Sequence, residues 1–126
     1  MNKKLLWIGC VLFILILSAC TTTKKPSVIA DGTYTGEGQG KGGIIVVELA
    51  IQNSKISGIN IKEHSESPGY ADAMTKMADE IISRNTLKVD LVSGATLSST
   101  GFLRAVNDAF SKTGVSPDVL TQTSEK

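Results

Sequence analysis

Apolar and polar positions follow three different periods along the chain, and each period predicts a different element. From Leu5 to Leu17 the residues are almost continuously apolar, and no later window approaches the length of about 18 apolar residues that marks a membrane helix. From Ile44 to Ile51 the period is two. Ile45, Val47, Leu49 and Ile51 share one face, with Ile44, Val46, Glu48 and Ala50 on the other, which predicts a central strand. Gln52-Asn53-Ser54 reads as a turn, after which Lys55 to Glu63 returns with Ile56, Ile59 and Ile61. The phase slips at Ser57-Gly58, where a bulge restores the register and leaves an antiparallel hairpin. Ahead of it, Asp31 to Gly43 holds six glycines, a composition that predicts an irregular or edge strand with close backbone approaches.

Beyond the hairpin the period changes to that of a helix. Ser67-Pro68 supplies an N-cap and a first-turn proline, and Ala71, Met74, Met77, Ala78, Ile81 and Ile82 fall on one face. Asp72/Lys76 and Glu80/Arg84 are spaced to pair on the other face. A second helix is capped by Ser98, Ser99 or Thr100, carries the stripe Phe102, Leu103, Val106, Ala109 and Phe110, and stops at Gly114 before Pro117. Thr121 to Lys126 is polar and expected to fray. These elements predict a single α+β domain over residues 30–115, a small antiparallel sheet with two main helices, followed by a polar tail over 116–126.

The N-terminal apolar run changes meaning once its flanks are read. Lys3 and Lys4 precede it and Ser18-Ala19 closes it, the three-part layout of a secretory signal peptide. Leu17-Ser18-Ala19-Cys20 resembles the bacterial lipoprotein box, which implies a lipoprotein signal peptide over 1–19 and a diacylglyceryl group on Cys20. The competing reading is an uncleaved membrane helix, for which the run is short. Residues 20–29 then form a lipidated cysteine and a polar, proline-containing tether. Taking 19 residues from 126 leaves 107, with 11 basic side chains against 12 acidic once Lys3 and Lys4 are gone. Cys10 leaves with the signal and Cys20 is lipidated, so no thiol is left for a disulfide, a metal or redox chemistry. Near-neutral charge with scattered lysines argues against nucleic acid as a partner. The implied location is the extracytoplasmic face of the cell membrane.

Candidate chemistry lies between the two helices, at Val89-Asp90-Leu91-Val92-Ser93-Gly94-Ala95-Thr96-Leu97-Ser98-Ser99. An extended segment runs into a small-residue turn and then a hydroxyl-rich helix start, where unpaired N–H groups and the positive end of a helix dipole favour a phosphate. A plain helix N-cap is the alternative. One His with scattered carboxylates makes no convincing transition-metal set, and no nucleophile, base and orienter are spaced for hydrolysis.

Asp90-Leu91-Val92-Ser93-Gly94-Ala95-Thr96 resembles the flavinylation motif Asp-x-x-Ser/Thr-Gly-Ala-Thr of the FMN-binding domain family. That module also occurs in the membrane subunits of sodium-translocating NADH:quinone reductase and Rnf-type complexes, and in lipoproteins that relay electrons outside the cytoplasmic membrane. The resemblance spans the domain. Asp31-Gly32-Thr33-Tyr34 is similar to the family's opening strand, Gly42-Gly43 with Ile44 to Glu48 to its glycine-preceded apolar strand, and His64-Ser65-Glu66-Ser67-Pro68-Gly69 to its His-x-Glu-Thr-Pro-Gly segment. Ser67 stands where the family has Thr, so a hydroxyl is kept and a methyl lost.

By resemblance, a flavin transferase takes FMN from FAD and attaches it through its phosphate to Thr96. Gly94-Ala95 gives access. Asp90 carries over as a position recognised during transfer, with a metal-linked role and a turn-closing role both open. Ser93 either donates to the phosphate or stabilises the turn. The resemblance also places His64, Glu66, Ser67, Pro68 and Gly69 near the isoalloxazine ring, although a lone exposed histidine by itself is ordinary surface. The implied protein is a lipid-anchored electron carrier with covalent FMN, fed by a membrane NADH dehydrogenase or quinone-linked donor, and an electron-transfer flavoprotein more than a turnover enzyme. Two alternatives stand beside it: a non-redox binding lipoprotein, and the flavin-domain subunit of a separate membrane reductase.

Overall fold

A computed structural model describes residues 28–122. The signal-peptide and lipidation expectations for 1–19 and Cys20 lie outside the described residues. Strands β1 (Gly32–Gln39), β2 (Ile44–Gln52) and β3 (Lys55–Glu63) form one antiparallel sheet in the order β1-β2-β3. The apolar strand is central, as its alternation predicts, with Ile45, Val47, Leu49 and Ile51 buried on one face. The β2–β3 turn places Asn53 and Ser54 at φ of 53° and 60°, the left-handed pair of a tight hairpin whose twist matches its strands. Ala50 faces Gly58 while Ile51 faces Ile56, so Ser57 is the extra residue of the expected bulge. A second slip, unforeseen, falls at Lys62, between the pairs Val47–Ile61 and Val46–Glu63.

Helix α1 (Pro68–Arg84) buries Ala73, Met74, Met77, Ala78 and Ile81 against the sheet, with Ala71 and Ile82 at the margin. It ends at Asn85, a left-handed cap (φ 48°) whose Oδ1 accepts the Ile56 N–H at 3.0 Å. Of the two expected side-chain pairs, Glu80–Arg84 forms at 2.6 Å. Asp72 and Lys76 instead line a hollow. Ser67 occupies the N-cap position, but its hydroxyl does not cap the helix.

Helix α2 (Thr96–Ser111) begins earlier than expected. The Ala95 carbonyl already accepts the Ser99 N–H at 2.8 Å, so the first turn starts at Thr96, and Ser98 and Ser99 are interior residues, both buried. Phe102, Val106, Ala109 and Phe110 are fully buried as predicted, and Ala105 joins them. The packed unit also extends past both expected edges. Ile29, read as tether, is in the core, and the expected polar tail contains a short helix, α3 (Asp118–Gln122), with Leu120 fully buried. Apolar runs of two or three residues, Val28-Ile29-Ala30 and Val119-Leu120, have no period to reveal which face is buried. Among the described residues no helix is long and apolar enough to cross a membrane.

The constraint that sets this architecture is the approach of β1 to α2. A Cβ at Gly36 would overlap the Ala105 carbonyl, one at Gly38 the Gly101 carbonyl, and one at Gly101 the Gln39 carbonyl. The glycines let strand and helix meet backbone to backbone. The contact is tied by the Glu37 N–H donating to Asp108 Oδ2 at 3.0 Å and by Lys112 donating to the Thr35 carbonyl, which also occupies polar groups of an edge strand.

Gly38→Ala is therefore expected to cost on the order of 3 kcal/mol, because a backbone must move. Gly69→Ala, where a Cβ meets nothing within 4 Å, should be neutral or stabilising by about 0.5–1 kcal/mol. Urea unfolding of the two variants beside wild type checks the contrast, and equal midpoints would refute the close-approach account.

Candidate functional site

The turn between Val92 and Thr96 is built to be open. Gly94 has φ 82°, a left-handed conformation that glycine adopts without strain, and a Cβ there would meet nothing within 4 Å. The Ala95 N–H closes the turn onto the Val92 carbonyl at 3.0 Å, and the Val92 N–H donates to Ser99 Oγ at 3.3 Å. Ala95 is buried beneath the turn, while Ser93, Gly94, Thr96 and Leu97 are exposed. Thr96 thus opens α2 with its side chain toward solvent.

Two hollows flank this turn. One of about 510 Å³ lies between Val92–Ala95 and the N-terminal half of α1, where Ser67, Gly69, Tyr70, Asp72, Ala73 and Lys76 line it. Its size falls within the range of small-molecule sites. The other, about 230 Å³, lies on the far side of Tyr70 and is lined by Lys41, Tyr70 and Gly94 to Ser98, Thr96 included. Neither α1 nor α2 has a side-chain cap at its N-terminus. The N–H groups of Thr96, Leu97 and Ser98 at the start of α2 are left for water or a ligand. Helix α1 instead opens with Pro68, which has no N–H, and its Tyr70 and Ala71 N–H groups donate to the Ser67 carbonyl at 2.9 and 3.0 Å. The dipoles of both helices favour an anion at these ends.

Glu66 holds the two sides of the site together. Its side chain is 8% exposed. Oε1 accepts the Gly42 N–H at 2.7 Å, and Oε2 accepts the Ser98 hydroxyl. The glycine-rich loop between β1 and β2 is thereby tied to the first turn of α2 from beneath. Gly40 and Gly42 leave it no room to lift a side chain, since a Cβ at Gly40 would overlap Glu66 Oε1 and one at Gly42 the Ser65 carbonyl. On the loop, Lys41 Nζ donates to Tyr70 Oη at 2.7 Å and lies 4.5 Å from the ring centroid, a cation–π contact.

The residues singled out from the sequence are distributed unevenly about this place. Ser93, Gly94, Ala95, Ser67 and Gly69 line the larger hollow, and Gly94, Ala95 and Thr96 the smaller. His64 is exposed and its Nδ1 accepts the Glu66 N–H at 3.2 Å; neither His64 nor Pro68 lines either of these two hollows. Asp90 is exposed and also lines neither. Among the described residues, no three His, Cys, Asp or Glu side chains gather where they could hold a metal ion. Lys41 and Tyr70 escaped the sequence reading, and Asp72 and Lys76 were read there as a surface ion pair, not as lining of a site. Tyr70, directly after Pro68-Gly69, was the one with a positional signal, because it sits in the first turn of the helix that bounds the site.

The FMN-binding domain model matches residues 40–111, more than half of the chain and all of the elements around both hollows. The chain belongs to the FMN-binding domain family. Urocanate reductase of Eggerthella lenta is 41% identical over 83 residues, which is 65% of this chain and 14% of that protein. NADH:acrylate oxidoreductase of Vibrio harveyi is 32% identical over 96 residues, or 75% of this chain and 10% of that one. An uncharacterized protein of Treponema pallidum is 30% identical over 83 residues and is matched over 23% of its length. The chain therefore spans less than a quarter of each of these relatives. The residues present fit an FMN: an exposed hydroxyl at an uncapped helix start suits its phosphate, the open face of Gly94 leaves an approach to it, and the larger hollow has room for a ring system.

Removing the Glu66 side chain should loosen this FMN-binding domain at the site before it loosens the core. Glu66→Ala leaves the Gly42 N–H and the buried Ser98 hydroxyl without their acceptor, at an expected cost of about 2–3 kcal/mol. Faster amide exchange at Gly42 and Ser98, with little change at Val47 and Leu49, is the expected pattern; uniform acceleration would deny Glu66 its local role.

Proposed function

We propose that this FMN-binding domain carries FMN linked through its phosphate to Thr96 Oγ1, and that the protein is an electron carrier anchored by a lipid on Cys20 at the extracytoplasmic face of the cell membrane. The observation that supports this most is the exposed Thr96 side chain at the uncapped first turn of α2, inside the segment Asp90 to Thr96 that resembles the flavinylation motif. In the transfer, a flavin transferase brings FAD, the bond from Thr96 Oγ1 to the FMN phosphorus forms, the pyrophosphate bond breaks, AMP leaves and the hydroxyl proton passes to solvent. When bound, FMN supplies the redox chemistry. The chain's own residues would present the acceptor, keep the approach clear at Gly94 and set the N-terminus of α2 beside the resulting anion. A membrane NADH dehydrogenase or quinone-linked enzyme would be the donor, and the acceptor would lie in the envelope or outside it.

The size of the relatives favours one second reading. The matched region is only 14% and 10% of the reductase and the oxidoreductase, so this chain could serve as the flavin domain of a reductase whose remaining parts are separate chains. A partner that copurifies at a fixed one-to-one ratio supports that assignment.

The test is denaturing gel electrophoresis of membrane fractions from a host with an active flavin transferase, viewed under ultraviolet light. Wild type is expected to fluoresce, Thr96→Ser to retain part of the signal and Thr96→Ala to be dark. Equal fluorescence in Thr96→Ala would move the attachment elsewhere. A dark wild-type band, beside another protein labelled in the same host, would remove covalent flavin from the account.

A further inference from the structure

Lys62, Lys88 and Lys112 are each paired with a carboxylate, at 3.1, 3.4 and 3.7 Å from Glu48, Asp118 and Asp108. Lys41 is held differently. Its ammonium is fixed by the hydroxyl and ring of Tyr70, which orient the cation without neutralising it. The loop beneath it is closed by the Gly40 N–H donating to the Gly43 carbonyl at 2.8 Å and by the Gly42 N–H bonded to buried Glu66. Glu66 in turn accepts from Ser98, two residues from Thr96. The cation and the acceptor hydroxyl are thus registered against each other through one buried carboxylate. Lys41 is also the only charged side chain lining the smaller hollow, whose opposite wall is Gly94 to Ser98.

From this arrangement we infer that Lys41 is the counter-cation for a phosphate ester on Thr96, with Tyr70 as the residue that positions it. The inference rests on Thr96 being the flavin attachment point. A phosphodiester there has its phosphorus one bond from Oγ1, so its negative charge arises at the edge of the hollow that Thr96 shares with Lys41. The ammonium held by Tyr70 and the dipole of α2 then act on the same anion. Because the ammonium is solvent-exposed, the attraction is modest and is screened by salt.

A thermodynamic cycle on the full-length protein tests the pairing. Wild type, Lys41→Gln, Lys41→Glu, Tyr70→Phe and Lys55→Gln are each prepared with and without flavin transferase in the host. Flavinylation is scored by fluorescence on denaturing gels, and thermal midpoints are compared at low and high salt. Lys55 lies at the β2–β3 turn, the opposite end of the sheet from Lys41, and controls for general charge. The shift in midpoint on flavinylation is expected to be more positive in wild type than in Lys41→Gln by about 2–4 °C at low salt. The difference should be larger for Lys41→Glu, smaller for Tyr70→Phe, absent for Lys55→Gln, and lost at high salt. Equal shifts in wild type and Lys41→Gln, or a loss of stability in Lys41→Gln that is the same with and without flavin, would overturn the inference by making Lys41 merely structural. Attachment at another residue, detected as a fluorescent Thr96→Ala band, would instead overturn the reading beneath it.

Discussion

Strand β1 lies against helix α2 at a distance that admits no side chain between their backbones, and the rest of the molecule is arranged around that contact. Gly36, Gly38 and Gly101 make the approach sterically allowed. It brings the loop after β1 directly onto the first turn of α2, where a buried carboxylate can bond to both. Glu66 occupies that position, taking the Gly42 N–H and the Ser98 hydroxyl. A buried carboxylate persists only when its lone pairs are satisfied, so the loop, the 64–67 segment and the helix start are mutually dependent. The apolar layer behind them, Ile45, Val47 and Leu49 of β2 against Met74 of α1 and Phe102 and Phe110 of α2, supplies the rigid backing.

What this frame presents to solvent is a turn of small residues with two helix N-termini beside it. The hydroxyl at Thr96 is exposed at one of them, and each flanking hollow carries a lysine: Lys41 in the smaller, Lys76 in the larger. The site thus offers an exposed hydroxyl, a cation beside it at Lys41 and a space of ligand size. That combination suits a domain that binds FMN, since the flavin brings the chemistry and the protein supplies placement.

Much of the fold was legible because burial in a two-layer domain is one-sided. The alternation in Ile44–Ile51 and the helical stripes around Met74 and Phe102 state directly which face is covered, and the phase slip at Ser57 states where the strand bulges. The glycine-rich strand announced a close approach without naming its partner. Less legible were features fixed by residues distant in sequence. Ser98 and Ser99 look like helix caps, since a hydroxyl at a helix start caps the backbone equally well locally. Their burial depends on Glu66, 32 residues from Ser98, and on the Val92 N–H. Lys41 and Tyr70 are 29 residues apart and share no motif. Ile29 and Leu120 sit in apolar runs too short to show a period, Val28-Ile29-Ala30 and Val119-Leu120. At the site itself, the segment Ser93 to Thr96 was found by its small residues and by resemblance, whereas the cation beside it became visible only once the loop was seen folded onto the helix.

The central claim is that one FMN is esterified to one threonine. Cleavage after Lys88 and Arg104 releases residues 89–104 as a single peptide, and tandem mass spectrometry of that peptide, from protein made alongside a flavin transferase, tests the claim most directly. The account predicts a mass increase of one FMN less one water, with fragment ions that assign it to Thr96. An unmodified peptide from a preparation in which the transferase has labelled another protein, or an increment assigned to Ser93, Ser98, Ser99 or Thr100, would contradict it.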